Sequence, residues 1–299
     1  MNISMIGQKG MPAHFGGVER HVHELSVRLA ADGFAVSVYA RDWYTDPSVN
    51  MYEGVEIRHI KTIQSKHFDT PVHTVLSTID AIKRGADVIH YHGVGPALFS
   101  WIPRIFSQKT RVITTFHSID RKHDKWNIFA RLVLRLGEWA ACAFANKTIA
   151  VSKTIEQYAR DAYDAEAVYI PNAVPEVVPS KKSSALKQWN VKPGNYMLMV
   201  SRLIPHKGAH DLIDAYSTLQ NSGRIAKNMK LVIVGDGHQP EEYVASLKKQ
   251  AKKHKNIIFT GFQTGEELNQ LFSHAAFMVH PSYNEGLPIC VLEGMSYAL

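Results

Sequence analysis

The chain has 299 residues, 45% of them hydrophobic and 20% charged, with a formal net charge of +7. This composition excludes a disordered chain, and the length predicts two domains. The lysine-rich run at residues 248–255 has no interleaved aromatic residues, which argues against nucleic-acid binding. We interpret that run as the solvated face of a helix, with an anionic partner as the alternative.

Cysteine usage and hydropathy indicate the compartment. Cys142 and Cys290 lie far apart and form neither a disulfide nor a metal-binding pattern, which favours a reducing environment. No run of about 18 apolar residues occurs, so we expect no membrane-spanning segment. The sequence therefore predicts a cytoplasmic protein.

Short apolar runs alternate with segments of helical periodicity, the pattern of βα units around a parallel sheet. Strands are predicted at 3–6, 35–39, 55–60, 88–91, 112–116, 148–151 and 168–170, and after them at 196–200, 231–234, 257–260 and 277–280. A stretch rich in Pro, Ser and Lys at 171–184 predicts a linker. We therefore expect an α/β protein with two Rossmann-like, doubly wound domains, 1–175 and 176–299, and a ligand in the cleft between their strand ends.

The end of the chain carries a further expectation. Leu299 falls inside an apolar helical stretch that begins near Ile289 and has no stop signal. We expect this helix to run to the last residue and the second domain to be truncated.

Two loops are suited to binding phosphate. Residues 7–19 place glycines between a strand and a helix, where backbone N–H groups can approach an anion. The spacing is not that of the dinucleotide fingerprint, and a tight turn without ligand is the alternative. In the second half, Arg202 and Lys207 follow a strand and could grip a diphosphate. An exposed basic loop is the alternative there.

Residues 285–293 contain two acids in an apolar setting. Glu285 is predicted on a strand-to-helix loop, where it could meet sugar hydroxyls. Glu293 is predicted inside the helix, where it could reach a ribose, with backbone N–H groups near phosphate between the two acids. An acid in an apolar helix is costly unless it is paired, which favours a ligand role.

The histidines divide into two groups. His90 with His92, and His21 with His23, lack the carboxylates or cysteines of a recognisable metal pattern, so we predict structural or exposed roles. No Asp-x-Asp anchor occurs either, and no metal site is predicted. His117 ends the strand predicted at 112–116 and faces the expected cleft, which makes it a candidate catalytic residue.

Taken together, these segments resemble glycosyltransferase family 4, retaining enzymes of the two-lobed GT-B architecture. The resemblance spans nearly the whole chain and rests on Gly16-Gly17-Val18-Glu19, His117, Ser201-Arg202, Lys207-Gly208, Val234-Gly235-Asp236-Gly237 and the Glu-x7-Glu segment from Glu285. Residues 87–95 and the segment His117, Asp120, Lys125-Trp126 are similar to a bacterial cell-surface polysaccharide subgroup. Ser118 and Arg121 depart from the Gly and Trp typical of that subgroup.

The resemblance implies a role for each matching residue. His117, Arg202, Lys207 and Glu285 would be catalytic: Arg202 and Lys207 would bind the donor diphosphate in place of a metal ion, Glu285 the donor sugar, and His117 the donor sugar or the acceptor. The other donor-binding positions would be Gly16, Gly17, Phe262, Gly286, Leu287, Ile289 and Glu293. The implied activity is metal-independent, retaining transfer from a nucleotide-diphosphate sugar to a lipid-linked or polysaccharide acceptor, without a cofactor.

Other functions remain open at this stage. A non-catalytic nucleotide-sugar-binding protein and a sugar-nucleotide epimerase are alternatives, whereas a pyridoxal-phosphate phosphorylase lacks a suitably placed lysine. The helix predicted at 126–145 mixes Arg131 and Arg135 with Trp, Phe and Leu. This mixture indicates peripheral contact with anionic lipid on the inner face of the cell membrane, and a core-packed helix with solvated arginines is the alternative.

Overall fold

The computed structural model describes residues 1–63, 65, 68–122, 127–237 and 241–299. The chain forms two compact units. The first comprises Met1–Ala173 together with Asn284–Pro288, and the second comprises Val174–Tyr283 together with Ile289–Leu299. The short segment Asn284–Pro288, which the sequence placed in the second domain, therefore groups with the first unit.

The first unit is an eight-stranded sheet with helices between its strands. Its strands are β1 (Asn2–Ile6), β2 (Ala35–Ala40), β3 (Met51–Tyr52), β4 (Val55–His59), β5 (Val88–His92), β6 (Arg111–Phe116), β7 (Lys147–Ala150) and β8 (Ala167–Tyr169). Its helices are α1 (Gly17–Ala31), α2 (Asp69–Lys83), α3 (Val94–Ala97), α4 (Trp101–Phe106), α5 (Ile128–Ala143) and α6 (Lys153–Tyr163).

The order of the strands in this sheet is β3-β4-β2-β1-β5-β6-β7-β8. All neighbouring pairs are parallel except the β3–β4 hairpin. Strand β1 pairs on one side with β2, where Ile3 lies beside Val36, and on the other with β5, where Ile3 lies beside Val88. The direction of winding therefore reverses between β1 and β5, and ligands of such sheets bind at this switch point, outside the carboxyl ends of the strands.

The second unit is a smaller sheet of the same kind. Its elements are β9 (Tyr196–Val200), α7 (Ala209–Asn221), β10 (Lys230–Val234), α8 (Glu241–Ala251), β11 (Ile257–Gly261), α9 (Gly265–Ser273), β12 (Phe277–Met278) and α10 (Ile289–Ser296). The strands are parallel, in the order β11-β10-β9-β12. Its switch point lies between β9 and β12.

Helix α10 ends at Ser296, so the expectation that it runs to the last residue is wrong. Ala298 adopts a left-handed conformation with φ of 63°. The Leu299 N–H donates to the Gly294 carbonyl at 3.1 Å, and the Ala298 N–H donates to the Met295 carbonyl at 3.0 Å. These two bonds form a Schellman motif, a backbone stop that does not require glycine or proline and so left no clear mark in the sequence.

Helix α5 packs with its small residues inward. Gly137, Ala140 and Ala141 are buried, and a Cβ on Gly137 would overlap the carbonyl of Val94 at the start of α3. The large apolar side chains face outward instead, with Ile128 88% and Phe129 73% exposed. Lys125 and Trp126, which the sequence analysis singled out, lie outside the described residues. Within the described ranges, no helix combines the length and apolarity needed to cross a membrane.

Candidate functional site

The loop after β1 occupies the switch point of the first unit. Gly7 has φ of 119°, and a Cβ there would lie 2.5 Å from the His92 carbonyl oxygen at the end of β5. Only glycine allows this close approach. The Tyr44 hydroxyl accepts the N–H groups of His14 and Phe15 at 2.9 and 3.1 Å and donates to the Phe15 carbonyl. These bonds fix the loop that leads into α1.

Gly16 and Gly17 form the start of α1, as the sequence indicated. Gly16 has φ of 102°, and a Cβ on it would overlap the carboxylate of Glu19. Glu19 is buried, and its Oε1 accepts the Lys9 N–H at 3.3 Å. The protein thus places its own negative charge at the positive end of this helix. The role of Gly16 and Gly17 in donor binding stays a prediction.

Three histidines meet at this switch point. His21 lies on α1, His92 is the last residue of β5, and His117 directly follows β6. Each offers a ring nitrogen, and these nitrogens all lie within 4.8 Å of one another. His92 Nδ1 and His117 Nε2 form a hydrogen bond of 3.2 Å. The sequence singled out His117 but assigned His21 and His92 structural or exposed roles.

Burial keeps this cluster neutral. Desolvation lowers the pKa of His21 to about 4, with a smaller opposing effect from the Asn172 side chain. Desolvation also lowers the pKa of His92 and His117 well below the usual value, and repulsion from neighbouring histidines lowers both further. Near pH 7 each imidazole is therefore uncharged and has one donor nitrogen and one acceptor nitrogen.

The segment Asn284–Pro288 packs on the chain around His117 within the first unit. The Asn284 side-chain amide donates to the Ile119 carbonyl at 3.4 Å, and the Asn172 amide donates to the Leu287 carbonyl at 2.7 Å. A Cβ on Gly286 would overlap the His117 carbonyl oxygen. Glu285, half-buried in this segment, is therefore held beside the backbone of the predicted catalytic histidine.

A buried carboxylate anchors the chain that follows His117. Glu138 is fully buried on α5, and its Oε2 accepts the Arg121 Nε–H at 3.0 Å. The hydroxyls of Tyr158 and Tyr163 donate to the same oxygen at 2.6 and 2.5 Å. Burial, followed by the hydrogen bond to Glu138, raises the pKa of Tyr158. Arg121, which departs from the tryptophan of the resembling subgroup, thus has a structural partner that sequence reasoning missed.

In the second unit, Arg202 and Lys207 lie on the loop after β9. The Ser201 N–H donates to the Val234 carbonyl at 3.0 Å, and the Leu203 N–H donates to the Asp236 carbonyl at 3.2 Å. Leu203 is buried, whereas Arg202 is exposed and Lys207 half-buried. The backbone of this loop is therefore attached to the end of β10, with the Arg202 side chain exposed and the Lys207 side chain half-buried.

The loop after β12 is hydrogen-bonded to the loop that carries Arg202 and Lys207 and packs closely against it. The Tyr283 N–H and the Ser282 hydroxyl donate to the His206 carbonyl at 3.0 and 3.1 Å. Gly208 has φ of 70°, and a Cβ there would overlap the carbonyl oxygen of Pro281. The second unit thus joins its β9 and β12 loops at its own switch point.

The remaining predicted residues of the second unit lie on the loop after β11 and on helix α10. Phe262 follows β11 directly and is 55% exposed. Ile289 is the buried first residue of α10, and Glu293 is half-buried four residues later on the same helix. The exposed ring of Phe262 suits contact with a base, but the roles of Phe262, Ile289 and Glu293 stay predictions.

Two described protein families match this chain. Residues 15–176, more than half of the chain, match the family described as Glycosyltransferase Family 4. This chain belongs to glycosyltransferase family 4. Residues 182–299 match the family described as Glycosyl transferases group 1. The predicted glycosyltransferase class is thereby confirmed.

Individual relatives of this family 4 chain agree with the assignment. It is 26% identical over 296 residues to O-antigen chain mannosyltransferase C of Escherichia coli, which covers 96% of this chain and 75% of that protein. Sucrose-phosphate synthase from Thermosynechococcus elongatus superposes with a TM-score of 0.80 at 22% identity, over 98% of this chain and 78% of that one. Anabaena HepE in complex with UDP-glucose superposes with a TM-score of 0.71 at 19% identity, over 94% and 74%. The fold is the α/β GT-B fold, as predicted.

Proposed function

We propose that this family 4 enzyme transfers a sugar from a nucleotide-diphosphate sugar, with retention and without a metal ion, to a lipid-linked or polysaccharide acceptor. The observation that carries the proposal is the loop with Arg202 and Lys207, fixed at the switch point of the second unit. A structural neighbour was solved with UDP-glucose, and a relative is named an O-antigen chain mannosyltransferase. Both support the proposed donor and acceptor classes.

In the second unit, the two cations would bind the diphosphate of the donor. The Arg202 guanidinium can make paired hydrogen bonds to phosphate oxygens, and the Lys207 ammonium adds a mobile charge. Negative charge grows on the diphosphate as the glycosidic bond breaks, so these contacts strengthen in the transition state. Glu293 would accept hydrogen bonds from the ribose hydroxyls, and Phe262 would lie against the base.

In the first unit, His117 and Glu285 would position the reacting sugar. A neutral imidazole can donate to or accept from a sugar hydroxyl. The acceptor oxygen bonds to the anomeric carbon on the face from which the diphosphate leaves. The bond from that carbon to the diphosphate oxygen breaks, and the acceptor proton passes to the departing diphosphate. No protein nucleophile takes part, so His117 acts by holding substrate.

The outer face of α5 supports an acceptor held at a lipid surface. Large apolar side chains are exposed along one side of this helix, namely Ile128, Phe129, Leu132, Leu136 and Trp139. Arg131 and Arg135 lie on the same helix and are exposed. Apolar residues that enter the acyl boundary, flanked by arginines that contact anionic headgroups, are typical of a helix lying in a membrane interface. We propose that α5 binds the inner face of the cell membrane.

A donor panel tests the transferase proposal. We expect calorimetry to detect binding of a UDP- or GDP-linked sugar. Arg202→Ala should destabilise the transition state by on the order of 3 kcal/mol, which lowers kcat/KM about 150-fold. Arg224→Ala, which removes an exposed arginine of the same unit, is the matched control. Equal activity of the two variants would refute the assigned role of Arg202. Donor turnover without any acceptor would identify an epimerase, and binding without turnover would identify a non-catalytic protein.

Vesicle sedimentation tests the membrane proposal separately. We expect binding to phosphatidylglycerol-containing vesicles that falls strongly in Arg131→Glu/Arg135→Glu and weakens as salt rises. Lys187→Glu/Arg224→Glu reverses the same amount of charge at exposed positions of the second unit. If both double variants sediment alike, α5 is not the membrane-binding surface.

A further inference from the structure

We propose that His21, His92 and His117 form a binding site for a transition-metal cation such as Zn²⁺ or Co²⁺, and that occupancy of this site inhibits glycosyl transfer. The site lies within the first unit and requires no residue of the second. Its inhibitory consequence rests on the proposed role of His117, whereas metal binding itself does not.

The spacing of the ring nitrogens fits a tetrahedral ion. Zn–N bonds of 2.0–2.1 Å place neighbouring ligand nitrogens about 3.3 Å apart. His92 Nδ1 and His117 Nε2 are already 3.2 Å apart. The three ligand nitrogens lie within 4.8 Å of one another, so the His21 ring has to approach by at most about 1.5 Å. Rotation of the His21 side chain about its χ angles is the movement that the site requires.

The ligand set selects the type of ion. Three imidazoles with an open fourth position suit Zn²⁺, Co²⁺, Ni²⁺ or Cu²⁺. The cluster contains histidines alone, and without a carboxylate it is unsuited to Mg²⁺ or Ca²⁺. Entry of the ion breaks the hydrogen bond between His92 Nδ1 and His117 Nε2, and the ring that donated it carries its proton on the other nitrogen instead, so that each ring presents a lone pair to the ion.

The surroundings hold the ligands in place. His92 Nε2 lies 3.5 Å from the Met5 sulfur, which can accept its N–H when Nδ1 binds metal. The Asn172 side chain interacts with the His21 ring. The backbones at His92 and His117 lie so close to Gly7 and Gly286 that a Cβ on either glycine would overlap their carbonyl oxygens. Ligands on a fixed backbone need little reorganisation when an ion enters.

His90 lies beside this cluster but is not one of its proposed ligands. Its ring lies against that of His92, with centroids 4.1 Å apart and ring planes inclined by 34°, and its Nε2 is hydrogen-bonded to the Thr115 hydroxyl at 2.7 Å. His90 is not among the three histidines whose ring nitrogens lie within 4.8 Å of one another. We therefore assign three histidine ligands rather than four.

Titration of the tag-free chain with Co²⁺ tests the site, because tetrahedral Co²⁺ absorbs strongly in the visible region. We expect one Co²⁺ per chain, displaced by Zn²⁺ and not by Mg²⁺, and binding at least 10-fold weaker in His21→Gln and in His117→Gln. His23→Gln is the matched control on the same helix, because its ring contacts Tyr52 and the Ala13 N–H instead. Circular dichroism confirms that each variant folds.

The outcomes separate the parts of the proposal. Absence of the cobalt spectrum, or equal affinity in His21→Gln and His23→Gln, would overturn the site. If His117→Gln does not fold, the half-buried His21 still decides the question. We expect Zn²⁺ to inhibit the wild type and the His23→Gln variant, and the inhibiting concentration to rise at least 10-fold in His21→Gln. Binding without inhibition would overturn the inhibitory part and leave the site standing. These binding measurements use no sugar donor, so they remain valid if the transferase proposal fails.

Discussion

Gly208 joins the two switch-point loops of the second unit, and its replacement by alanine tests how tightly they fit. Its φ is 70°, and an added Cβ would overlap the Pro281 carbonyl oxygen. Gly194 has φ of 73° with nothing within 4 Å of its added Cβ. The two positions therefore share the backbone strain and differ in the contact, which makes Gly194→Ala a matched control.

The expected cost follows from these two terms. A left-handed conformation costs an alanine about 1–2 kcal/mol, which both variants incur. Overlap with a packed backbone atom adds about 1–3 kcal/mol in Gly208→Ala alone. We therefore expect Gly208→Ala to lower the free energy of unfolding by about 2–5 kcal/mol and Gly194→Ala by about 1–2 kcal/mol.

Native-state hydrogen exchange of the amides in β9 and β10 measures this difference within the second unit, because exchange reports the local opening free energy. We also expect Gly208→Ala to raise the KM for donor, since Pro281 and the loop carrying Lys207 have to separate. Equal opening free energies in the two variants, to within about 0.5 kcal/mol, would show that the contact with Pro281 does not contribute to stability.

Two further substitutions test the first unit. Tyr163→Phe removes a donor from the buried Glu138 carboxylate and should cost about 1.5–3 kcal/mol in urea unfolding. Tyr169→Phe, at a partly exposed tyrosine, should change stability by less than about 0.5 kcal/mol, and equal losses would contradict the anchoring role of Glu138. Burial, followed by repulsion from Arg41, lowers the pKa of His73 to about 4. As pH falls below 6.5, the His73 imidazole is therefore protonated in the unfolded chain before it is protonated in the folded protein. The free energy of unfolding decreases by on the order of 3 kcal/mol between about pH 6.5 and 4. His73→Gln should unfold with a weaker pH dependence across this window, and an unchanged slope would exclude His73 as a cause.

The sheets were the most predictable part of the fold. Strand β9 was predicted at residues 196–200 and found at Tyr196–Val200, because a buried parallel strand is a continuous apolar run. Strand β12 was predicted to reach residue 280 but ends at Met278, since only its two residues pair with β9. The hairpin strand β3, Met51–Tyr52, was missed because two residues carry no periodicity.

The candidate site was predictable only where its parts are contiguous in sequence. The Gly16 and Lys207 loops follow strands, so their position at a sheet edge could be inferred from chain order. The meeting of His21 with His92 depends on β1 lying beside β5, which local spacing does not reveal. Likewise, Arg121 finds its carboxylate on a helix 17 residues later, a partner that no motif indicates.

The close packing of Gly137 on Val94 connects helix α5 to the strand end that carries His92. Val94 begins α3 only two residues after His92, and the two backbones are so close that a Cβ at residue 137 would overlap the Val94 carbonyl oxygen. If α5 lies at a lipid surface, as proposed, this contact sets the distance of the histidine cluster from that surface.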